Sequence, residues 1–260
     1  MRKPLFRLLL ILSFTSGMLY CTETSYQFFR LREASFESLA LLPDAFFWQR
    51  LDPSTHRFWP LLLMNRERIR RSIMSEAPVT VSIKMSKPGF FEVGFVPLEP
   101  WFMVFWAGSE WFLSRDGRMW SVHHALNRII SQQSAIEGPV IVLGRGYPDP
   151  VPKGISIERS VVDSSMPITE LEAWKTALND SGFYPRVSSI TVLRREGKRI
   201  VEIMERKDPG SVRILLNDST AEWTSLFRAV DDILAQSDTR GKNLIVDTTY
   251  VGKILVRVIS

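Results

Sequence analysis

Cysteine occurs once, as Cys21, and histidine three times, as His56, His123 and His124. A single thiol excludes an intrachain disulfide. No second metal ligand stands at helical or turn spacing from His56, and adjacent helical positions cannot turn His123 and His124 toward one ion. The 33 basic and 28 acidic residues are interspersed without a run of five like charges, so the net charge of +5 forms no nucleic-acid patch. Gly144-Arg145-Gly146 lacks the third glycine of a phosphate loop and continues into Tyr147-Pro148-Asp149-Pro150, a loop instead of a helix. No Gly-x-Ser-x-Gly elbow, His-Glu-x-x-His helix or Cys-His pairing occurs. The carboxylate pairs Asp231-Asp232, Glu202/Glu205 and Glu170/Glu172 read as solvated faces or caps. The sequence therefore nominates no catalytic residue, no metal ligand and no cofactor.

Long apolar runs are also scarce. Arg2, Lys3 and Arg7 precede Leu8-Leu9-Leu10-Ile11-Leu12-Ser13-Phe14-Thr15-Ser16-Gly17-Met18-Leu19-Tyr20, a basic segment followed by 13 mostly apolar residues. As a helix these cover about 20 Å, against a hydrocarbon core of about 30 Å. Counting from Pro4 to Cys21, with Arg7 reaching the head groups, brings the segment near spanning length. Three fates compete: a cleaved signal, a lipoprotein site at Cys21, and an uncleaved anchor. The expectation is the anchor, with Leu8, Leu9, Leu10, Ile11, Leu12, Phe14 and Leu19 in the membrane and the amino end cytoplasmic.

What is present organises itself around residues 66–120. Val79, Val81, Ile83 and Met85 alternate with Thr80, Ser82, Lys84 and Ser86, the period of a strand with one buried face. Lys87-Pro88-Gly89 supplies a turn, Phe91, Val93 and Phe95 resume the alternation, and Pro97 and Pro100 end it. Upstream, Leu62, Ile69 and Ile73 share one helical face, with Arg66, Glu67, Arg70 and Arg71 on the other. Gln27–Arg32 is compatible with an edge strand. Trp111 to Trp120 reads as two short strands about an Asp116-Gly117 turn. Trp101, Trp106, Trp111 and Trp120 read as core rings before they read as a stacking platform for bases or sugars.

Farther on, Val122, Ala125, Leu126, Ile129 and Ile130 predict a helix over His123 to Gln133. Thr169-Glu170-Leu171-Glu172 has the pattern of a capping box, opening a helix that buries Leu171, Trp174 and Leu178 and stops at Gly182. Strands are expected at Val187–Arg195, Ile200–Arg206 and Val212–Leu216. A helix over Thr220–Gln236 follows, then strands at Leu244–Asp247 and Tyr250–Ile259.

The order helix, Pro78-Val79 strand, Lys87-Pro88 turn, strand ending Leu98-Glu99-Pro100, then Leu113…Asp116-Gly117…Met119-Trp120 resembles the junction between the POTRA and β-domains of the cell-division family FtsQ/DivIB. Val246-Asp247-Thr248-Thr249-Tyr250 is similar to that family's Asp-x-x-Tyr signature, with Thr249 where an arginine is often found. The resemblance implies an α+β fold: an N-terminal transmembrane helix (1–26), a POTRA-like β-α-α-β-β domain (27–100), and a mixed β-sheet domain with helices (101–260). It implies a single-pass inner-membrane protein enriched at the septum, without enzymatic activity. Its implied partners are short FtsB/FtsL-like bitopic division proteins and other proteins of the division machinery, with no nucleic acid. The bitopic proteins would be captured by strand addition at Thr249, Tyr250, Lys253, Ile254, Leu255, Val256 and Arg257. Two other readings stay open: an anchored envelope hydrolase, and a POTRA-type outer-membrane assembly or secretion factor, whose long carboxy-terminal barrel has no counterpart here.

Overall fold

The computed structural model describes residues 12–13, 15–16, 26–36, 42, 44–130, 138–144, 149–150, 160–195, 197–206, 210–236 and 241–259. The chain divides into two compact units, Met1–Pro97 and Leu98–Ser260; the boundary expected from sequence lay after Pro100.

The first unit is a three-stranded sheet with helices. Strand β1 (Glu33–Phe36) is followed by α1 (Asp44–Trp48), α2 (Pro53–Arg57), α3 (Trp59–Met74), β2 (Val79–Lys87) and β3 (Phe90–Pro97). The sheet order is β1-β3-β2, with β1 parallel and β2 antiparallel to β3. The period-two residues Val79, Val81, Ile83, Phe91, Val93 and Phe95 are buried, as are Leu62, Ile69 and Ile73 of α3. Gly89 turns the hairpin at φ +84°, where a Cβ would lie 2.9 Å from the Arg30 carbonyl oxygen. Arg70 is not wholly on the solvent face: its Nε donates to the Val81 carbonyl at 2.8 Å, tying α3 to β2.

The edge strand expected at Gln27–Arg32 is absent. Residues 26–29 are helical, Arg30 makes an isolated bridge to Phe58, and β1 starts at Glu33. Aromatic packing overrides the extended preference here. Tyr26 meets Phe58 edge to face at 5.5 Å, and Trp59 Nε1 donates to the Phe28 carbonyl.

Among the described residues the second unit carries ten strands in one sheet: β4 (Phe102–Trp106), β5 (Ser109–Leu113), β6 (Arg118–Ser121), β7 (Val140–Leu143), β8 (Val161–Asp163), β9 (Val187–Arg195), β10 (Lys198–Arg206), β11 (Ser211–Asn217), β12 (Asn243–Asp247) and β13 (Leu255–Ile259). Their order is β13-β12-β11-β10-β9-β7-β4-β5-β6-β8. Helices α4 (Asn127–Ile130), α5 (Ile168–Asp180) and α6 (Trp223–Gln236) complete the unit, with 3₁₀ turns at Tyr184–Arg186 and Thr220–Glu222. Trp174 of α5 stacks on Trp223 of α6 at 5.9 Å, and Phe183 meets Phe227 at 4.4 Å. These rings join Leu171, Leu178, Ile190, Ile203, Ile214, Leu244 and Val246 in one apolar core. Trp101, Trp111 and Trp120 are buried and Trp106 packs against the same core, so the tryptophan cluster is structural.

Three expectations change. Among the described residues no helix is long and apolar enough to cross a membrane. That overturns the expected N-terminal transmembrane helix and, with it, the single-pass inner-membrane placement; a span needs about 20 apolar residues in one helix, and the apolar run has 13. Of the nominated anchor residues, Leu12 is helical and exposed, while Leu8, Leu9, Leu10, Ile11, Phe14 and Leu19 lie outside the described residues. The capping box does not form: Pro167 holds the N-cap, α5 begins at Ile168, and Thr169 is already inside the helix. The helix expected over His123–Gln133 is the single turn α4, with 131–137 outside the described residues.

Candidate functional site

The nominated binding residues lie where the chain leaves the sheet interior. Strand β12 is paired on both sides, parallel to β11 and antiparallel to β13. At its end Asp247 is buried, and its Oδ1 accepts from the Thr249 N–H at 3.0 Å and the Thr249 hydroxyl at 2.6 Å. Thr248 donates its N–H and hydroxyl to the Leu215 carbonyl. This aspartate turn bends the chain out of the strand path. Gly252, at φ +70°, and a bond from Lys253 N–H to the Tyr250 carbonyl close the hairpin.

Thr249, Tyr250, Lys253 and Ile254 are therefore loop residues, and the strand expected from Tyr250 runs only from Leu255 to Ile259. Leu255, Val256 and Arg257 lie on β13. The structure adds Val258 and Ile259 to the same edge, and Val251, which is 99% exposed, to the loop. The signal for the loop was legible in Thr248-Thr249 and Gly252, all turn formers, but the alternation across them concealed it.

Among the described residues, strand β13 is the last in the sheet order and pairs only with β12. All five of its residues are exposed, Val258 at 62%. Register places Val256 beside Val246 and Val258 beside Leu244, on the face of the core, against which Ile254 still packs. Leu255, Arg257 and Ile259 share the other face with Asp247, Ile245 and Asn243. On that face Arg213, Ile245 and Arg257 form one row across β11, β12 and β13. Neither arginine makes an ion pair among the described residues. Asp247, the one carboxylate of β12, is engaged by Thr249 and lies 3.7 Å from Arg195. The result is a short apolar edge with unpaired backbone groups along one side and positive charge on one face.

At the opposite end of the sheet, among the described residues, β8 pairs with β6 and is tied to the β5–β6 turn by polar bonds. Gly117 turns β5 into β6 at φ +86°, and Ser164, just past β8, donates its hydroxyl to the Gly117 carbonyl at 2.7 Å. Asp116 accepts from Ser114 and from Arg118 Nε. Partial burial pushes the Asp116 carboxyl up, but bonds from Arg118 and Ser114 outweigh it and leave the group below its ordinary value.

Elsewhere the carboxylates serve structure. Glu205 is buried, contrary to a solvated reading, and accepts from Arg186 Nε at 2.6 Å; Asp231 takes both terminal nitrogens of the same guanidinium at 2.9 and 3.1 Å. Arg186 also lies 4.1 Å over the Phe183 ring. Burial lowers its pKa and the bonds to Asp231 and Glu205 more than restore it, so the guanidinium is held charged. Arginine-locked carboxylates are poor proton shuttles. Glu170 is likewise paired, with Arg199 at 2.5 Å. In the first unit a cavity of about 110 Å³ is lined by Arg50, Asp52, Thr55, Asn65, Arg68, Ile69 and Ser72. Hydrogen bonds from the Ser54 hydroxyl and from Thr55 hold the Asp52 carboxyl down to about 2, as befits the N-cap of α2. His56 stacks on Trp48, and His124 is buried with Nδ1 accepting from the Leu126 N–H. Among the described residues no group of three metal-ligating side chains converges.

No family model matches the chain, and no curated protein matches it.

Proposed function

We propose that this chain is a non-catalytic scaffold of bacterial cell division, of the FtsQ/DivIB type, which captures an extended segment of a short FtsB/FtsL-like protein along β13. The observation that carries the reading is the exposed, one-sided strand Leu255–Ile259. An added strand gains main-chain bonds from the free N–H and C=O groups, and its side chains meet Val256 and Val258 on one face and Arg257 on the other. The strand–helix–hairpin order of the first unit and the strand–helix–strand order of the second support the same reading. The pairing of Glu205 and Asp231 with Arg186 favours a structural role for these carboxylates over turnover.

The test is co-purification of the full chain with FtsB- and FtsL-like proteins, comparing the native sequence with a Tyr250→Glu, Val256→Glu variant. Capture is expected to fall to background while the thermal midpoint moves by less than about 3 °C, since both side chains are exposed. Undiminished co-purification of the variant overturns the proposal.

A further inference from the structure

Arg257 stands at the centre of the free edge, with two apolar residues on either side. Alternate residues of an antiparallel strand send their N–H and C=O groups to opposite neighbours. Strand β13 commits one set to β12, so only residues of the other parity have groups left. If two copies meet edge to edge about a two-fold axis, free residues must face free residues. The two numbers in each facing pair then add to an even total. Full overlap of Leu255–Ile259 has one solution: Leu255 opposite Ile259, Val256 opposite Val258, and Arg257 opposite the second copy's Arg257. Slipping to the next allowed register leaves three residues in the ladder.

Full overlap thus sets two guanidinium groups side by side at the axis, each in a row that already holds Arg213. Like charges directly opposite destabilise a strand pair, and a carboxylate in the same place stabilises it. A lone cation on an otherwise apolar edge is a device against edge-to-edge association.

We infer that Arg257 decides which strand β13 accepts, turning away a second copy of this chain and taking an apolar strand with a carboxylate opposite the guanidinium. The inference rests on the edge reading above and adds the chemistry of the partner. Arg213, two strands inward in the same row and on the same face, reinforces the preference, and no carboxylate of β12 satisfies either arginine.

Two nine-residue peptides of alternating threonine and valine, one with a central glutamate and one with a central lysine, serve as probes against the full chain by fluorescence anisotropy. The glutamate peptide is expected to bind at least about threefold tighter. The ratio should fall to near one in Arg257→Thr and invert in Arg257→Glu. Sedimentation equilibrium supplies a second readout: Arg257→Thr forms dimers at concentrations where the native chain is monomeric, and adding Val258→Glu to it abolishes them. Equal binding of the two peptides by the native chain overturns the assignment to Arg257 while leaving the edge reading standing. Arg257→Thr staying as monomeric as the native chain overturns exclusion of a second copy. Binding of neither peptide overturns the edge reading and this inference together.

Discussion

Strands β12 and β13 are neighbours of nearly equal apolar content, Asn-Leu-Ile-Val-Asp and Leu-Val-Arg-Val-Ile, yet they have opposite fates. Leu244 and Val246 are at most 1% exposed and belong to the core with Phe227 and Val230, whereas no residue of β13 is buried. The difference is one place in the sheet. Among the described residues β12 has a strand on each side and α6 residues in its cluster, while β13 has one neighbour and lies at the rim. Apolar character alone does not fix burial, because a side chain is covered only if another element reaches it. What β13 keeps instead is a set of backbone groups and apolar side chains available to another chain.

The largest effect should separate these strands directly. Val246→Glu places a charge in the core and is expected to cost more than about 4 kcal/mol, while Val256→Glu costs under about 0.5 kcal/mol. Urea unfolding of the two variants measures both, and equal destabilisation would erase the distinction between interior and rim. Next in size, Phe227→Ala removes a fully buried ring packed on Phe183 and Trp223 and should cost about 3–5 kcal/mol in the same assay. If the cost is below about 1 kcal/mol, α6 is not what seals the interior strands.

Arg186→Ala should cost about 2 kcal/mol, less than a fully buried ion pair because the arginine side chain is 38% exposed. The loss comes mainly from leaving the buried Glu205 without its cation, so adding Glu205→Gln should recover part of it. The smallest effect belongs to the far end of the sheet. Asp116 has a folded-state pKa below the ordinary aspartate value, so its contribution is present above that ordinary value and lost as pH falls through the folded pKa. Asp116→Asn should cost about 1 kcal/mol or less near neutrality, because the carboxylate is half exposed, and nothing once both proteins are in strong acid. Thermal midpoints from neutrality down to the acid limb test that sign; a difference that grows toward low pH contradicts it.

Much of this was legible in local chemistry. The hairpin at Lys87-Pro88-Gly89, the Asp116-Gly117 turn, the stop at Gly182 and the buried faces of α3, α5 and α6 follow from period and turn residues, which act over a few neighbours. Several of the misreadings involve partners distant in sequence or competing local bonds. Aromatic packing on Phe58 and Trp59 made 26–29 helical, Pro167 displaced Thr169 from the cap, and Arg186 drew Glu205 inside. At the candidate site, Leu255, Val256 and Arg257 lie on the strand expected from Tyr250 to Ile259. Tyr250, nominated by resemblance to the Asp-x-x-Tyr signature, lies in the loop, because alternation cannot register that Asp247 captures Thr249 and ends the strand.

The sequence by itself determined where strands and helices can form, which faces are apolar, and the absence of any motif for metal, nucleotide or hydrolytic chemistry. Tertiary structure alone decided the order of the ten strands, and with it which apolar strand is sealed and which is open. The reason is physical. Periodicity is a property of a segment, while a strand's burial and its free backbone groups depend on which neighbours pair with it, and those neighbours lie tens of residues away along the chain.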